Sequence, residues 1–371
     1  TVKQPECLKK LLAYNDLGAQ KWPNKPGYGW TINDYVVFYT ASEGHFECLK
    51  QVLEHDDIGD RTWPVTHFRY FSILTIKHYA ISIAASYGKF DCLQRLLSLV
   101  LYTSSISDAS IKESRCLGDE EWPDKTGWNN YHYAVWQTAK YGQSKCLMHL
   151  LAFNDLGSQP WPGKNNNAWT IYHYALHSAA EYTQFECLKG LLEHNNFGST
   201  RWPGKAYGWN MNHRTVKQLN DLCLTYNKVG NSPAVKSTRP AFIECLKKIL
   251  SHNNLGHQPC PGKTKGWSIY HYAITCCTIN ERQNLIKYVV NSLAQAYKHD
   301  SAKKNVKEQI MILIEDPRFE EYKLYHNFYE AIYLEDINNY QEAATPMGLF
   351  CILKRITIFD LRSNELEKLE F

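Results

Sequence analysis

Histidine recurs at one position of a repeated sequence pattern, where a row of imidazoles could bind a metal ion or transfer protons. Five copies of the pattern carry it, at His78, His132, His173, His213 and His271, and the first copy has Asp34 instead. Each lies three residues after a Thr, Asn or Ser, residue types that favour the N-cap of a helix. A side-chain acceptor at that spacing reaches back to the backbone N–H of the cap residue. We therefore expect the five histidines to be neutral, structural caps, and a metal or catalytic array is the weaker interpretation.

Cysteine is the second residue type that could do chemistry, because a thiolate binds metals and forms disulfides. Six of the twelve cysteines occupy one position of the repeat and are followed by Leu, at Cys7, Cys48, Cys92, Cys146, Cys187 and Cys245. No CxxC spacing occurs, and the one adjacent pair is Cys276 and Cys277. We predict small, buried, structural thiols in a reducing compartment, with a metal site or a redox switch as the alternative.

The elements that position these residues are copies of one unit. A helical pattern built on Cys-Leu begins at Glu6, Glu47, Asp91, Lys145, Glu186 and Glu244, and a Trp-Pro pair follows five of the six copies. The step is 41 residues from Cys7 to Cys48 and again from Cys146 to Cys187. A period between about 20 and 50 residues is typical of stacked repeat proteins, in which each unit buries the apolar face of its neighbour.

The copy from Trp161 to His194 indicates how one unit is built. Trp161-Pro162-Gly163-Lys164 suits a tight turn, and Trp169 followed by the cap residue Thr170 predicts the start of a first helix. That helix is rich in small residues, and a Gly such as Gly142 ends it in other copies. The second helix has apolar residues at i, i+1, i+4 and i+5. Asn or Asp, an apolar residue and Gly then predict its end.

Composition and motifs narrow the function classes. The net charge of +4 over 371 residues argues against a dedicated nucleic-acid-binding arm, and the sequence has no run of 18 apolar residues and no signal-like leader. It has no Gly-rich phosphate loop, no cluster with metal-ligand spacing and no nucleophile motif. We therefore expect an intracellular, cytoplasmic protein that is not an enzyme, has no catalytic residue, uses no metal or other cofactor and makes no membrane contact.

Two stretches carry a resemblance to ankyrin repeats. Ala41 to Leu53 (ASEGHFECLKQVL) resembles the ankyrin pattern AAxxGHxxxVxxLL, and Ala175 to Ala180 resembles PLHxAA. The repeated ECLKxLLxH is similar to divergent ankyrin arrays of protists and large DNA viruses. The resemblance, from Glu6 to about Ser292, implies an all-α solenoid of helix-turn-helix units that binds partners without catalysis. The unit is 41 residues here against about 33 in ankyrin repeats, no copy has a clean TPLH, and the additional length falls in the loop that carries Trp-Pro.

We predict two regions. Residues 1–295 form the ankyrin-like array of about six units, with insertions near 99–113 and 216–240. Turn signals at Asn231-Ser232-Pro233 and Thr238-Arg239-Pro240 favour a loop in the second insertion. Residues 296–371 form a helical C-terminal region that caps the array or docks to a larger complex, with helices over Val306–Glu315, Phe319–Leu334 and Met347–Phe359.

The repeated loops predict the surface that binds a partner. Aromatic anchors dominate protein interfaces, and the candidate contacts for a protein partner are the residues at the base of each loop: Trp30, Trp128, Trp169, Trp209, Trp267, Tyr172 and Tyr270. A row of loop lysines lies beside them, at Lys25, Lys125, Lys164, Lys205 and Lys263. The alternative is a nucleic-acid or ribonucleoprotein binder that uses these lysines for phosphates and exposed Trp for base stacking. For the Trp of each Trp-Pro pair, packing against the neighbouring loop is the simpler role.

Overall fold

The computed structural model describes residues 5–21, 30–61, 74–101, 115–123, 127–162, 169–203, 208–228, 233–263, 267–276, 279–299 and 303–316. Within them the chain forms fourteen α-helices, short 3-10 turns and one pair of two-residue strands, so the predicted all-α class is confirmed. The chain divides into two compact units, Thr1–Gly198 and Ser199–Phe371.

The first unit is an array of paired helices. Its helices are α1 (Pro5–Ala13), α2 (Ile32–Glu43), α3 (Phe46–Glu54), α4 (Ile76–Ser86), α5 (Phe90–Leu97), α6 (Asn130–Lys140), α7 (Ser144–Ala152), α8 (Ile171–Glu181) and α9 (Phe185–Glu193). The first helices α2, α4, α6 and α8 contact one another in succession, and so do the second helices α1, α3, α5, α7 and α9. Each first helix also packs on the second helix that follows it. This packing of sequential neighbours is typical of a helical repeat array.

The first helices begin at the predicted cap residues. Thr31, Thr75, Asn129 and Thr170 have extended backbone, and in each case the side chain three residues later accepts the backbone N–H of the cap. At Thr31, Thr75 and Asn129 the cap side chain in turn accepts the N–H of that later residue, whereas the His173 N–H donates to the Thr170 backbone carbonyl at 3.0 Å. This reciprocal pair satisfies backbone donors that the first turn of a helix leaves without a partner.

A residue in the left-handed region separates the two helices of a unit. Gly44, Gly88 and Gly142 have φ of 79°, 67° and 74°. Thr183 takes the same position between α8 and α9, with φ of 56°. A residue with a Cβ costs about 1–2 kcal/mol in this region, which explains why the other copies have Gly.

The second helices supply the apolar core. In α7 the stripe Cys146, Leu147, Leu150 and Leu151 is buried, and the equivalent stripes of α5 and α9 are buried too. Burial of one Leu side chain stabilises the folded chain by about 1.5–3 kcal/mol. The array is therefore held together by contacts between helices rather than by any helix alone.

The ends of α7, α9 and α11 carry the predicted Asn or Asp residues, but after α7 the Gly has a role other than ending the helix. After α7, Asn154 and Asp155 have φ of 49° and 55°, so these residues supply the left-handed turn. Gly157 lies under the ring of Tyr172, where an added Cβ would overlap the ring atoms. Asn and Asp tolerate the left-handed conformation, and Gly is required because the aromatic ring of the next first helix approaches the backbone closely.

The first predicted insertion is closed by a short strand pair. β1 (Val100–Leu101) pairs antiparallel with β2 (Arg115–Cys116), with Val100 opposite Cys116 and Leu101 opposite Arg115. Residues 102–114, most of the predicted insertion, lie outside the described residues.

The second unit contains α10 (Met211–Lys228), α11 (Pro233–Ser251), α12 (Ile269–Cys276), α13 (Ile279–His299) and α14 (Lys303–Glu315). The turn predicted at Thr238-Arg239-Pro240 is wrong, because α11 passes through it with Pro240 inside the helix. Pro233 is the first residue of α11, a position at which Pro is tolerated because its missing N–H would have no helical partner. Most of the second insertion therefore lengthens α10 and α11.

The C-terminal region begins as a helix. α13 runs through the predicted boundary at residues 295 and 296, and α14 contains the predicted helix Val306–Glu315 and packs on α13. The predicted helices Phe319–Leu334 and Met347–Phe359 lie outside the described residues. None of the described helices has both the length and the hydropathy of a membrane span.

Candidate interaction surface

The five histidines of the repeat are buried helix caps. Each Nδ1 accepts the backbone N–H of its cap residue, at distances of 3.0 to 3.2 Å. Because Nδ1 uses its lone pair in this bond, the proton of a neutral ring lies on Nε2. Within the described residues, no group of three or more His, Cys, Asp or Glu side chains could hold a metal ion. The geometry of His78, His132, His173, His213 and His271 is therefore that of a helix cap.

Burial disfavours the charged form of three of these imidazoles. It lowers the pKa of His78, His132 and His213 to about 4, with the charge of Lys77 adding to the effect at His78. A protonated Nδ1 would also place an N–H against the N–H of the cap residue. Protonation and capping therefore exclude each other.

Five of the six repeated cysteines are buried thiols, as predicted, but the prediction is wrong for Cys7 in α1, which is exposed. Cys48, Cys92, Cys146, Cys187 and Cys245 all lie in the apolar stripes of the second helices. Burial raises the pKa of the last four to about 12 and also raises the pKa of Cys48. Since the thiolate is the reactive form of cysteine and a raised pKa disfavours it, these side chains are unreactive near neutral pH.

The Trp side chains of the three Trp-Pro pairs in the described residues, Trp122, Trp161 and Trp202, are buried. Trp122 stacks on Tyr133 with ring centroids 3.4 Å apart, and Trp161 stacks on Tyr174 at 3.6 Å. Trp122 also meets His78 of the preceding first helix edge to face at 5.0 Å, and Trp161 meets His132 in the same way at 6.1 Å. In the second unit Trp202 is buried under the Arg214 guanidinium, 4.9 Å from its ring. Trp22 and Trp63 lie outside the described residues.

Backbone hydrogen bonds close the base of four of the loops, between the residue that precedes Pro and the Trp that precedes the cap residue. The Trp161 N–H donates to the Trp169 carbonyl at 2.9 Å, and the equivalent bonds join Trp122 to Trp128, Trp202 to Trp209 and Cys260 to Trp267. The two ends of each loop are therefore fixed side by side. The loop tips lie outside the described residues.

The candidate Trp contacts at the loop bases are largely engaged within the array. Trp128 packs edge to face on Trp161 and Tyr174 of the next unit, and Trp209 packs likewise on Tyr272. Trp169 and Trp267 each lie 5.3 Å from the cap histidine of their own helix. These four keep part of their surface exposed, whereas Trp30, which contacts Tyr79, is only 8% exposed.

The other candidate contacts differ in how much of their surface is exposed. Tyr172 is half-buried over Gly157, whereas Tyr270 packs over Gly256 and is only 2% exposed. Lys263 is exposed with its Nζ 5.5 Å from the Trp267 ring. The remaining predicted lysines, Lys25, Lys125, Lys164 and Lys205, lie outside the described residues.

The sequence did not predict a row of tyrosines at the ends of three first helices, two of which are exposed. Tyr87, Tyr141 and Tyr182 are the C-cap residues of α4, α6 and α8, and we call them the C-cap tyrosines. Tyr87 is 51% and Tyr141 is 50% exposed, and Tyr182 is half-buried. Each directly precedes the residue with positive φ, so their shared position before the turn was the signal that could have identified them. The C-cap tyrosines lie at the C-terminal ends of three consecutive first helices, opposite the N-terminal ends where the loop bases lie.

Searches against protein-family models and against curated proteins found no match for this chain.

Proposed function

We propose that the chain is an ankyrin-like, non-catalytic scaffold that binds a protein partner through the aromatic surface of its first helices. The observation that carries the proposal is the repetition of the C-cap tyrosines. Two of them expose about half of their surface, at equivalent positions of consecutive units. Exposed tyrosines supply large, rigid contact area at a small loss of conformational entropy, and such residues dominate interface energies.

Three features support the ankyrin-like assignment. The helices pack as sequential pairs, a residue with positive φ separates the two helices of each pair in the first unit, and a long loop leads to the next pair. The loop is longer than in ankyrin repeats, and its base carries a Trp that is buried between neighbouring repeats. No disulfide joins the eight cysteines whose state is defined in the described residues, which supports a reducing, intracellular compartment.

The proposed surface combines the C-cap tyrosines with the exposed parts of Trp128 and Trp169 in the first unit. Trp209 and Trp267 remain candidates within the second unit. We leave Trp30 and Tyr270 out of it because both are buried.

The proposal is tested by removing the exposed rings and keeping the fold. A Tyr87→Ser/Tyr141→Ser variant should lose the bound partner in quantitative affinity purification from the cells that express the chain, by about tenfold or more if the rings are hot spots. The matched control is Tyr14→Ser, because Tyr14 is 67% exposed but lies after α1, outside the proposed surface. Equal recovery of partners with both variants would contradict the proposal.

The nucleic-acid alternative is tested separately by binding to RNA across a salt series. Phosphate contacts make affinity fall steeply as salt rises. We expect no binding at low salt. Tight binding that weakens steeply with salt, and that a Lys263→Ala substitution reduces, would favour the nucleic-acid reading instead.

A further inference from the structure

The ammonium group of Lys140 lies among three aromatic rings. Its Nζ is 4.7 Å from the ring centroid of Trp136, one helical turn earlier, and 5.2 Å from that of Tyr141, the next residue. It is also 5.2 Å from the ring centroid of Tyr182, at the C-cap of the following first helix. A cation over one ring is common in proteins, whereas rings converging on one cation from two consecutive units form a cage.

The rings rather than a carboxylate hold this ammonium. No acidic side chain in the described part of the chain forms an ion pair with Lys140, although the charge of Glu181 acts on it from a greater distance. Burial lowers the pKa of Lys140, which indicates that the site removes water from the cation. A lysine at the end of a helix is ordinarily solvated, so this position is unusual.

The cage is fixed by the fold. The Gln184 side chain donates to the Lys140 carbonyl at 3.0 Å, and this bond ties the end of α6 to the turn that carries Tyr182. The equivalent residue before the C-cap is Ser86 in α4 and Glu181 in α8, so Lys140 alone among these three helices brings its own cation. The tyrosines recur from unit to unit, and the lysine does not.

We infer that Trp136, Tyr141 and Tyr182 form a binding site for an alkylated ammonium group, and that Lys140 occupies this site in the free protein. The ligand class is a methylated lysine side chain of a partner protein, and that part of the inference rests on the proposed scaffold function. A primary ammonium has three N–H donors, and these lose their hydrogen bonds to water when the group lies among aromatic rings. A quaternary ammonium has none, and aromatic cages recognise it for this reason. A methylated lysine can therefore displace Lys140, whereas an unmodified lysine gains nothing over it.

The test uses tetramethylammonium chloride as the probe, with sodium chloride at equal ionic strength as the reference. Binding is followed by NMR at the indole N–H of Trp136, assigned from its loss in Trp136→Phe. We expect Lys140→Ala to bind the probe about tenfold more tightly than the unaltered protein, because the competing cation is gone. The matched control is Lys145→Ala, which removes the same charge from an exposed site outside the cage and should leave the affinity unchanged.

A second substitution separates the cage from a general effect on folding. Tyr141 is half exposed, so Tyr141→Ser should preserve the circular dichroism spectrum while it lowers probe affinity about fivefold in the Lys140→Ala background. A peptide with one trimethyllysine should bind the unaltered protein more tightly than the same peptide with lysine.

The outcomes distinguish this inference from the scaffold proposal. If neither the unaltered protein nor Lys140→Ala binds the probe, or if both bind it equally, the self-occupied cage is refuted. If probe and peptide bind as expected but Tyr87→Ser/Tyr141→Ser retains its cellular partners, the cation site stands and the proposed partner surface fails.

Discussion

The imidazoles of His132 and His271 cap their helices in the same way but face different neighbours. In the first unit, His132 meets the edge-to-face ring of Trp161, which stacks on Tyr174, and we call these three residues the internal joint. In the second unit, His271 Nε2 donates to the Gln309 carbonyl at 3.0 Å, and the Gln309 side chain donates to the His257 carbonyl at 3.1 Å. We call this arrangement, on α14, the terminal joint.

The difference shows what each repeat requires from the repeat or helix that follows it along the chain. The repeated cap leaves Nε2 pointing away from its own helix, and His78 Nε2 has no hydrogen-bond partner in the described residues. Within the array a Trp ring covers that edge and buries a large apolar area. Where the repeat pattern ends, a backbone carbonyl of α14 satisfies the nitrogen directly. The internal joint is therefore stabilised mainly by apolar burial and the terminal joint mainly by hydrogen bonds.

The largest expected effect is at the internal joint. Trp161→Ala should lower the free energy of unfolding by about 3–5 kcal/mol, since it removes a buried ring and leaves a cavity against Tyr174. Cys260 is buried at the equivalent position in the last repeat, and Cys260→Ala should cost only about 1 kcal/mol. Urea unfolding followed by circular dichroism measures both. Equal losses for the two variants would show that the Trp161 ring contributes no more to the internal joint than the small Cys260 side chain contributes at the equivalent position.

Acid should weaken the array through its caps. The folded-state pKa of His132 is about 4, below the ordinary value of 6.5, so the unfolded chain binds more protons between these values. The free energy of unfolding therefore falls as pH decreases from about 6.5 to 4, by about 3 kcal/mol per histidine when the shift is converted. His78 and His213 act in the same direction. Urea titrations at pH 7, 6, 5 and 4.5 measure the slope.

The chain offers its own control for this acid effect. Asp34 makes the same cap in the first copy, where Thr31 N–H donates to its Oδ2 at 2.7 Å. His132→Asp should therefore keep the cap but remove one histidine from the slope of stability between pH 6.5 and 4.5. An unchanged slope in this variant would show that the acid sensitivity has another source.

The residues of the internal joint and their neighbours also show which structural features could be predicted from the sequence. The cap role of His132 was predictable because it depends only on the three-residue spacing from Asn129. The burial of Trp161 could be stated only as one of two roles, since it depends on a neighbouring unit. The outward position of Tyr141 and the helix through Pro240 were missed because tertiary packing decides them: local turn signals do not register the buried Phe242 and Ile243 that follow in α11.

A contact that both regions share should be destabilising to disturb in each, and more so in the second unit, where Tyr270 is 2% exposed while Tyr172 is half-buried. Tyr172 covers Gly157 in the first unit as Tyr270 covers Gly256 in the second, and an added Cβ would overlap the ring in both places. Gly157→Ala and Gly256→Ala should each cost about 1–3 kcal/mol because the tyrosine must shift. In the double variant Gly157→Ala/Tyr172→Ala, the loss should be smaller than the sum of the single losses. If urea unfolding shows that the two single losses of stability add up in the double variant, the Tyr172 ring is not the reason that Gly is required at position 157.

The smallest effect is expected at the terminal joint. Gln309→Ala removes the side-chain bond to the His257 carbonyl but keeps the backbone carbonyl that accepts from His271, so it should cost about 1 kcal/mol or less. The buried Gln309 Oε1 has no partner in the described residues, and its removal offsets part of that loss. Thermal or urea unfolding measures the change beside Trp161→Ala. A loss of unfolding free energy in Gln309→Ala as large as that in Trp161→Ala would contradict the comparison. The side-chain hydrogen bond would then stabilise the terminal joint as much as aromatic burial stabilises the internal joint.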